Sequence, residues 1–364
     1  MISKPTMTLR GIPGLGDEIQ QRAIVRALLP KYNIRLATTW PCVYHDFIDQ
    51  GVLSAYRRPV GLRMQAQNAV RDVEQARFSR APSAPYQMSG AAAQLYYNGL
   101  VERTPSHTVL EAMFQSVGIG GDYKNADYRM PIRPEWFDSA DRLIDSWKPQ
   151  KPILIYRPPI FRAEAPASGV RNPNPTHYAE IAAMLRDSFF VVSIAALTPR
   201  EWIVGPVLRP DADLTHGELI FDTMAALFAR AALVLTPGGF PAILAPAVET
   251  PCINIMGGYQ PAAWVADGGK FSPFLGIDTK SPCECYSRDC RRLCPKEIDL
   301  AAARPRVLEF AGLSVNTETR PASEMHDPAT PPPHQQRQPM RHPNIGHYPA
   351  VRPVEGLRRP PVRA

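Results

Sequence analysis

The chain has 364 residues, of which 45% are hydrophobic and 21% charged, and its 41 Lys and Arg against 34 Asp and Glu leave a net charge of +7. That is a globular composition too long for one ordinary domain, and it predicts two domains, each with its own core. No run of about eighteen apolar residues occurs, and the opening MISKPTMTLR lacks the apolar centre of a signal peptide, so a cytoplasmic location without a transmembrane segment is expected. The positive charge favours an anionic partner: a phosphate-bearing small molecule, a nucleic acid, or an acidic membrane surface contacted peripherally.

Thr6 to Leu9 read as a short strand, and Ile19, Ala23, Ala27 and Leu28 recur at helical spacing, predicting a helix over Glu18 to Leu29. Between them, Arg10 to Asp17, RGIPGLGD, forms a strand-to-helix turn. There Gly11, Gly14 and Gly16 can take positive φ or admit a ligand to the backbone, and Asp17 stands where an N-cap would. A capped βα turn and an anion-binding turn are both open readings of this segment. Ile34 to Thr39 is a second strand, expected beside the first through a right-handed crossover. Tyr44, His45, Asp46 and Phe47 follow at its carboxyl end, where substrate contacts are common, although a lone histidine there is more often an ordinary surface or helix-capping residue.

From Arg57 to Tyr97 the apolar pattern weakens. Arg57, Arg58, Arg63, Arg71, Arg77 and Arg80 make either a solvated helix face or a basic surface for an anion. Ser106 to Gly118 returns to helical spacing, and Pro131 to Pro152 reads as the crossover between halves. The second half is more regular. Ile153 to Tyr156, Phe189 to Ile194, Leu233 to Thr236 and Ile253 to Met256 are buried-strand runs alternating with helices at Tyr178 to Leu185, Glu218 to Ala232 and Ala242 to Val248. Arg157, Arg162 and Arg171 follow the first of these strands, where they serve either as loop charge or as cations toward a diphosphate. Thr236-Pro237-Gly238-Gly239 forms a turn between strand and helix whose amides suit phosphate and whose glycines equally serve tight packing.

The opening GLGDEIQQRAIVRAL and the stretch ELIFDTMAALFARAALVLTPGGFPAILAPAVETPCINIMG, Glu218 to Gly257, resemble the heptosyltransferase-like glycosyltransferases of family 9, and the resemblance runs from Thr6 to about Leu300. It implies a GT-B fold of two Rossmann-like doubly wound domains facing a cleft: an acceptor domain over residues 1–150 and a nucleotide-sugar domain over 151–315. It places Asp17 on the family's catalytic aspartate and Arg171 near a basic residue facing the donor phosphates. Arg157, Thr236, Gly238 and Gly239 join the expected donor site, and Gly14, Gly16 and His45 the acceptor side. The second glycine turn departs from the pattern, with Gly238, Ala242 and Ile243 where relatives carry an acidic or serine residue and then a histidine.

The resemblance implies inverting transfer, which needs a carboxylate to take the acceptor proton and fixed cations to meet the departing diphosphate, so no catalytic metal is expected. The acceptor is expected to be a surface glycan or lipid-linked saccharide. A modified nucleic acid contacted through the arginines and the basic tail, and a non-catalytic nucleotide-binding module, are the alternatives. Cys283, Cys285, Cys290 and Cys294 lie close together, so a structural zinc site, two local disulfides and unligated thiols are all open. Cys42 and Cys252 read as small buried residues. Residues 316–364, rich in the chain's 40 prolines, read as a disordered tail.

Overall fold

Short apolar runs build two parallel sheets in the structure, a computed structural model that describes residues 4–57, 91–95, 108–162, 171–198, 201–206, 208–258, 260–281 and 295–314. The arginines from Arg58 to Arg80, the loop Arg63 to Gln87, the four clustered cysteines and the tail lie outside the described residues.

In the first half, β1 (Thr6–Arg10), β2 (Asn33–Thr38), β3 (Leu53–Arg57) and β4 (Ala91–Gln94) lie in the order β3-β2-β1-β4, all parallel. β1 and β2 are joined by α1 (Leu15–Leu28), the crossover the sequence predicts. The strand order reverses at β1, so the turn leaving its carboxyl end opens at a topological switch point, where open α/β sheets bind ligands. Then come a 3-10 turn over Pro41–Tyr44, α2 (His45–Asp49), α3 (Val109–Ser116) and α4 (Pro134–Trp147). The sequence pattern presents this last stretch only as a crossover between halves. Its helix starts with Pro134 at the first position and ends at Lys148 in the left-handed region, φ 50°, and it buries Trp136 and Ala140.

The second sheet uses β5 (Ile153–Tyr156), β7 (Phe190–Ile194), β9 (Ala212–Leu214), β10 (Leu233–Pro237), β11 (Cys252–Ile255) and β12 (Phe274–Ile277) in the order β12-β11-β10-β5-β7-β9. β5, β10 and β11 are buried at every position, as strands covered on both faces must be. The intervening helices are α5 (Pro175–Arg186), α6 (Phe221–Arg230), α7 (Pro241–Ala247) and α8 (Leu300–Phe310). β6 (Ile160–Arg162) and β8 (Glu201–Ile203) form a small antiparallel pair. β8, β9 and β12 are only three or four residues long, too short to show a period in sequence.

Both sheets belong to one compact unit, Met1–Pro328. One apolar cluster runs from Leu9, Ile24 and Phe114 of the first half into Phe221, Leu227, Val234 and Leu244 of the second. A second cluster, around Tyr178, Leu185, Val191 and Val307, covers the opposite face of the larger sheet. Phe221 is fully buried and reaches Trp40 and Trp136 of the first half, each at 6.2 Å between ring centroids. Burying a side chain of that size contributes about 1.5–3 kcal/mol. Arg230 of α6 adds a bidentate pair to Asp141 of α4 at 2.8 Å and lies over the Phe137 ring.

Candidate functional site

α1 begins one turn earlier than its apolar spacing suggests, at Leu15, with Gly14 as the N-cap residue in an extended conformation, φ −70°. Asp17 is therefore the third helical residue rather than the cap. Gly11, Gly14 and Gly16 all keep negative φ, so the turn does not need them for left-handed backbone. Gly16 is needed for approach. A Cβ there would stand 3.2 Å from the Cα of Phe240, so its bare backbone is what lets the start of α1 rest on the loop before α7. Gly11 leaves room for Gln21, whose carboxamide closes two hydrogen bonds with the backbone of Ile12 at 2.9 and 3.0 Å.

The remainder of α1 is pinned by buried polar groups. Arg22 is fully buried; its guanidinium forms a fork to both Asp46 oxygens at 2.8 Å, donates to the Arg129 and Val43 carbonyls, and lies 4.8 Å from the centroid of Phe47. Burial pushes the Asp46 carboxyl up, but the hydrogen bonds and charge of Arg22 outweigh it and hold the group below its usual value. The Tyr44 hydroxyl donates to buried Glu18 at 2.8 Å, and burial together with that carboxylate holds the phenol well above its usual pKa.

These contacts reassign the Tyr44 to Phe47 cluster. His45 is 6% exposed, its Nε2 donates to the Pro131 carbonyl at 2.9 Å, and its ring meets Trp136 edge-on at 4.7 Å. Burial holds its pKa below the usual histidine value. The ring does not line the cavity described next and fastens α2 to the segment before α4, so the structure does not bring His45 to the expected acceptor side.

A cavity of about 340 Å³ opens between the two sheets, within the range of small-molecule sites. From the first half it is lined by Gly14, Leu15, Gly16, Asp17, Gln20, Trp40 and Val109. From the second half, Arg157, Arg171 and Asn172 come from the connection between β5 and α5, and Pro237 to Phe240 from the turn after β10. Ile194, Ala195, Leu214, Leu219 and Met224 form an apolar wall, and Glu201 also lines the cavity. Asp17, Arg157, Arg171, Gly14, Gly16, Gly238 and Gly239, far apart along the chain, thus meet in one space.

Each cation has a structural reason for its place. Arg157 follows β5 directly, donates its amide to the Leu235 carbonyl at 3.0 Å, and carries its guanidinium 5.5 Å from the Phe240 ring centroid. Arg171 is exposed. Its carbonyl and that of Asn172 lie where any side chain on Gly257 would stand, so this loop is set against the end of β11 by a glycine. Asn174 then caps α5, accepting from the Thr176 and His177 amides at 3.0 and 3.1 Å.

The glycine turn has Gly239 at φ 138°, a conformation that favours glycine. Among the described residues neither glycine amide closes a backbone hydrogen bond, whereas Ala242 and Ile243 donate to the carbonyls of Gly239 and Phe240. α7 is seven residues long, so the turn's own amides, more than a helix dipole, are what it offers an anion. Thr236 is not at the surface of the cavity; it is fully buried in β10 and its hydroxyl donates to the Pro237 carbonyl at 2.7 Å. Cys42 and Cys252 are buried thiols, as expected. Among the described residues no group of three His, Cys, Asp or Glu side chains is arranged to hold a metal ion, and no helix is long and apolar enough to cross a membrane.

Sequence reading missed Gln20, Trp40, Asn172 and Glu201. Gln20 carries a legible signal, because it lies three residues beyond Asp17 and hence on the same helical face. The others depend on how the halves meet.

No family model and no curated protein matches the chain. Among solved structures it is similar to a glycosyl transferase of family 9 from Veillonella parvula, at 12% identity over 70% of this chain and 81% of that one, TM-score 0.43. It is similar to the ADP-heptose LPS heptosyltransferase II of E. coli, at 15% identity over 84% of this chain and 99% of that one, TM-score 0.47. It is also similar to the iron-containing dodecameric glycosyltransferase TibC from enterotoxigenic E. coli, at 13% identity over 81% and 66%, TM-score 0.48.

Proposed function

We propose that this chain is a nucleotide-sugar-dependent glycosyltransferase of the heptosyltransferase-like type, its two sheets serving as the two domains of a GT-B enzyme divided near residue 150. The observation that carries the reading is the shared cavity: a carboxylate, Asp17, at one wall and two guanidinium groups with an amide-rich turn, Arg157, Arg171 and Gly238–Gly239, at the other. That is the distribution of charge which transfer to a hydroxyl requires.

In this reading the apolar wall from Ile194 to Met224 takes the base of the nucleotide, and Arg157 and Arg171 take the diphosphate with the amides of the glycine turn. Asp17 accepts the proton of the acceptor hydroxyl as its oxygen attacks the anomeric carbon from the face opposite the diphosphate, so the sugar leaves with inverted configuration. The bond to the diphosphate breaks, and the charge gained by the leaving oxygens meets fixed donors that need no reorganisation. The cations carry that charge without a metal ion. The acceptor is a surface glycan or lipid-linked saccharide, for which a chain of net charge +7 suits an anionic surface.

The test is a thermal-shift and product-release screen of the full chain against ADP-, UDP- and GDP-linked sugars. One nucleoside diphosphate is expected to raise Tm by mass action, and its sugar to be released or transferred. Asp17→Asn is expected to keep that Tm shift and lose turnover about 10²–10⁴-fold. Near-normal turnover by a folded Asp17→Asn protein removes Asp17 from the role of base, and the absence of any shift removes the transferase reading.

A further inference from the structure

We infer that Gln20 and Trp40 form a hydrogen-bond-donating subsite, beside Asp17, for the vicinal oxygens of a saccharide acceptor. The inference rests on the transferase reading above and narrows its acceptor. Gln20 is 2% exposed and Trp40 is 1% exposed; both line the cavity, and among the described residues neither Gln20 Nε2 nor Trp40 Nε1 has a hydrogen-bond partner. Buried tryptophan N–H and amide groups are ordinarily paired. Both unpaired donors belong to cavity-lining residues of the first half, and the internal packing leaves both unsatisfied.

Their placement is specific. Gln20 follows Asp17 by three residues on α1, so the two side chains share a face. Trp40 lies just past the carboxyl end of β2, the edge of a parallel sheet from which ligand contacts come. Its ring is held against Phe221 and its backbone amide donates to Thr38 Oγ1 at 2.9 Å, so the indole is fixed. The Gln20 amide turns about a soft terminal torsion and can swing toward a ligand.

The chemistry of the three groups is complementary. A tryptophan N–H and a carboxamide NH₂ only donate, and an ionised carboxylate only accepts. A ligand that satisfies all three presents one hydroxyl proton to Asp17 and acceptor oxygens to its neighbours, as adjacent oxygens of a pyranose do. A hydroxymethyl group on a nucleobase presents one hydroxyl alone. Because the donors are already desolvated in the cavity wall, pairing them on binding costs little further desolvation, and a ligand lacking those oxygens leaves them unpaired.

The test uses the full chain and its Gln20→Met and Trp40→Phe variants in ligand-observed saturation-transfer NMR. The probes are glucose, galactose, mannose and glucuronate, with the free base 5-hydroxymethylcytosine, which carries no sugar, as the non-saccharide control and ADP and UDP as donor-side references. At least one saccharide is expected to be saturated by the wild type and at least fivefold less by each variant, with the nucleotide signals unchanged. Gln20→Met is expected to keep or raise the Tm of the unliganded protein, because it removes an unpaired donor at nearly constant volume. Equal saturation by both variants, saturation of hydroxymethylcytosine with no saccharide, no saccharide signal at all, or a Tm loss of several degrees in Gln20→Met would each overturn the inference. Failure of ADP and UDP to bind instead counts against the transferase reading and is read in separate spectra.

Discussion

Asp46→Asn is expected to be among the most destabilising single substitutions outside the hydrophobic core, although it removes only one charge. Arg22 is 0% exposed and Asp46 14%, and the pair closes two hydrogen bonds of 2.8 Å. Arginine does not lose its proton in proteins. In the variant the guanidinium therefore stays charged and buried, with the Arg129 and Val43 carbonyls and no counter-charge, while the new amide turns a donor toward one of its N–H groups. Breaking a buried pair in this way costs about 3–5 kcal/mol. The partial exposure of Asp46 and the carbonyls that remain place this case near the lower end, about 3 kcal/mol. With an unfolding entropy of about 2.1 cal/mol/K per residue over a unit of about 300 residues, each kcal/mol is worth roughly 1.5 °C, so Tm falls by roughly 4–5 °C. Urea unfolding at neutral pH measures it directly as a lowered midpoint at constant slope. The double variant Arg22→Met, Asp46→Leu is expected to lose less than Asp46→Asn, because it leaves no uncompensated charge. A loss below about 1 kcal/mol in Asp46→Asn would show that the pair is not what holds α1 in place.

Arg171→Ala is expected to weaken nucleoside diphosphate binding about tenfold, the worth of roughly 1.4 kcal/mol, while the unliganded Tm stays put, because the side chain is exposed; unchanged affinity in a titration refutes its role. Burial depresses the His45 pKa, so the unfolded chain binds that proton more readily and stability, complete above about pH 6.5, declines as pH falls below it. Asp46 and Asp127, whose pKa values are lowered against the pull of burial by Arg22 and by Arg129 respectively, lose their contributions only below about pH 4. Unfolding free energy is thus expected to fall in two separate steps, the upper one missing in His45→Gln; a wild-type curve flat from about pH 7.5 to about pH 5 refutes this. Gly16→Ala gains about 1 kcal/mol of helix propensity but sets a Cβ 3.2 Å from the Phe240 Cα, and overpacking of that kind costs about 1–3 kcal/mol. A small net loss is expected in urea unfolding, and a full gain of about 1 kcal/mol would show that the contact has room to relax.

The elements that sequence reveals here are those whose side chains repeat a simple pattern. Ile153 to Tyr156 and Leu233 to Thr236 are buried on both faces and read as strands without help. β9 and β12, at three and four residues, owe their existence to a neighbouring strand and leave no period to detect. α4 hides behind its charges and prolines, because only Trp136 and Ala140 are deeply buried in it.

The site divides in the same manner. As residues that line the cavity, Asp17 and the glycine turn are legible because they stand in strand-to-helix turns. His45 and Thr236 lie in positions of the same kind, yet the fold uses His45 to hold the Pro131 carbonyl and Thr236 to hold the carbonyl of Pro237, the next residue. Nothing in a linear pattern separates a polar side chain turned toward a cavity from one turned toward a carbonyl. The missing partners of Gln20 and Trp40 are hidden for the opposite reason, since a glutamine in a helix and a tryptophan after a strand carry no sign of being left without partners, even where, as for Gln20, the helical face is legible.

The contact between Gly16 and Phe240 has a mechanical consequence. It lies one residue from Asp17 on one side and one residue from Gly239 on the other, so the carboxylate and the amide turn share a common bearing point. A contact of backbone against backbone has no side chain that can flex, so the spacing between Asp17 and Gly239 is set by how closely positions 16 and 240 approach.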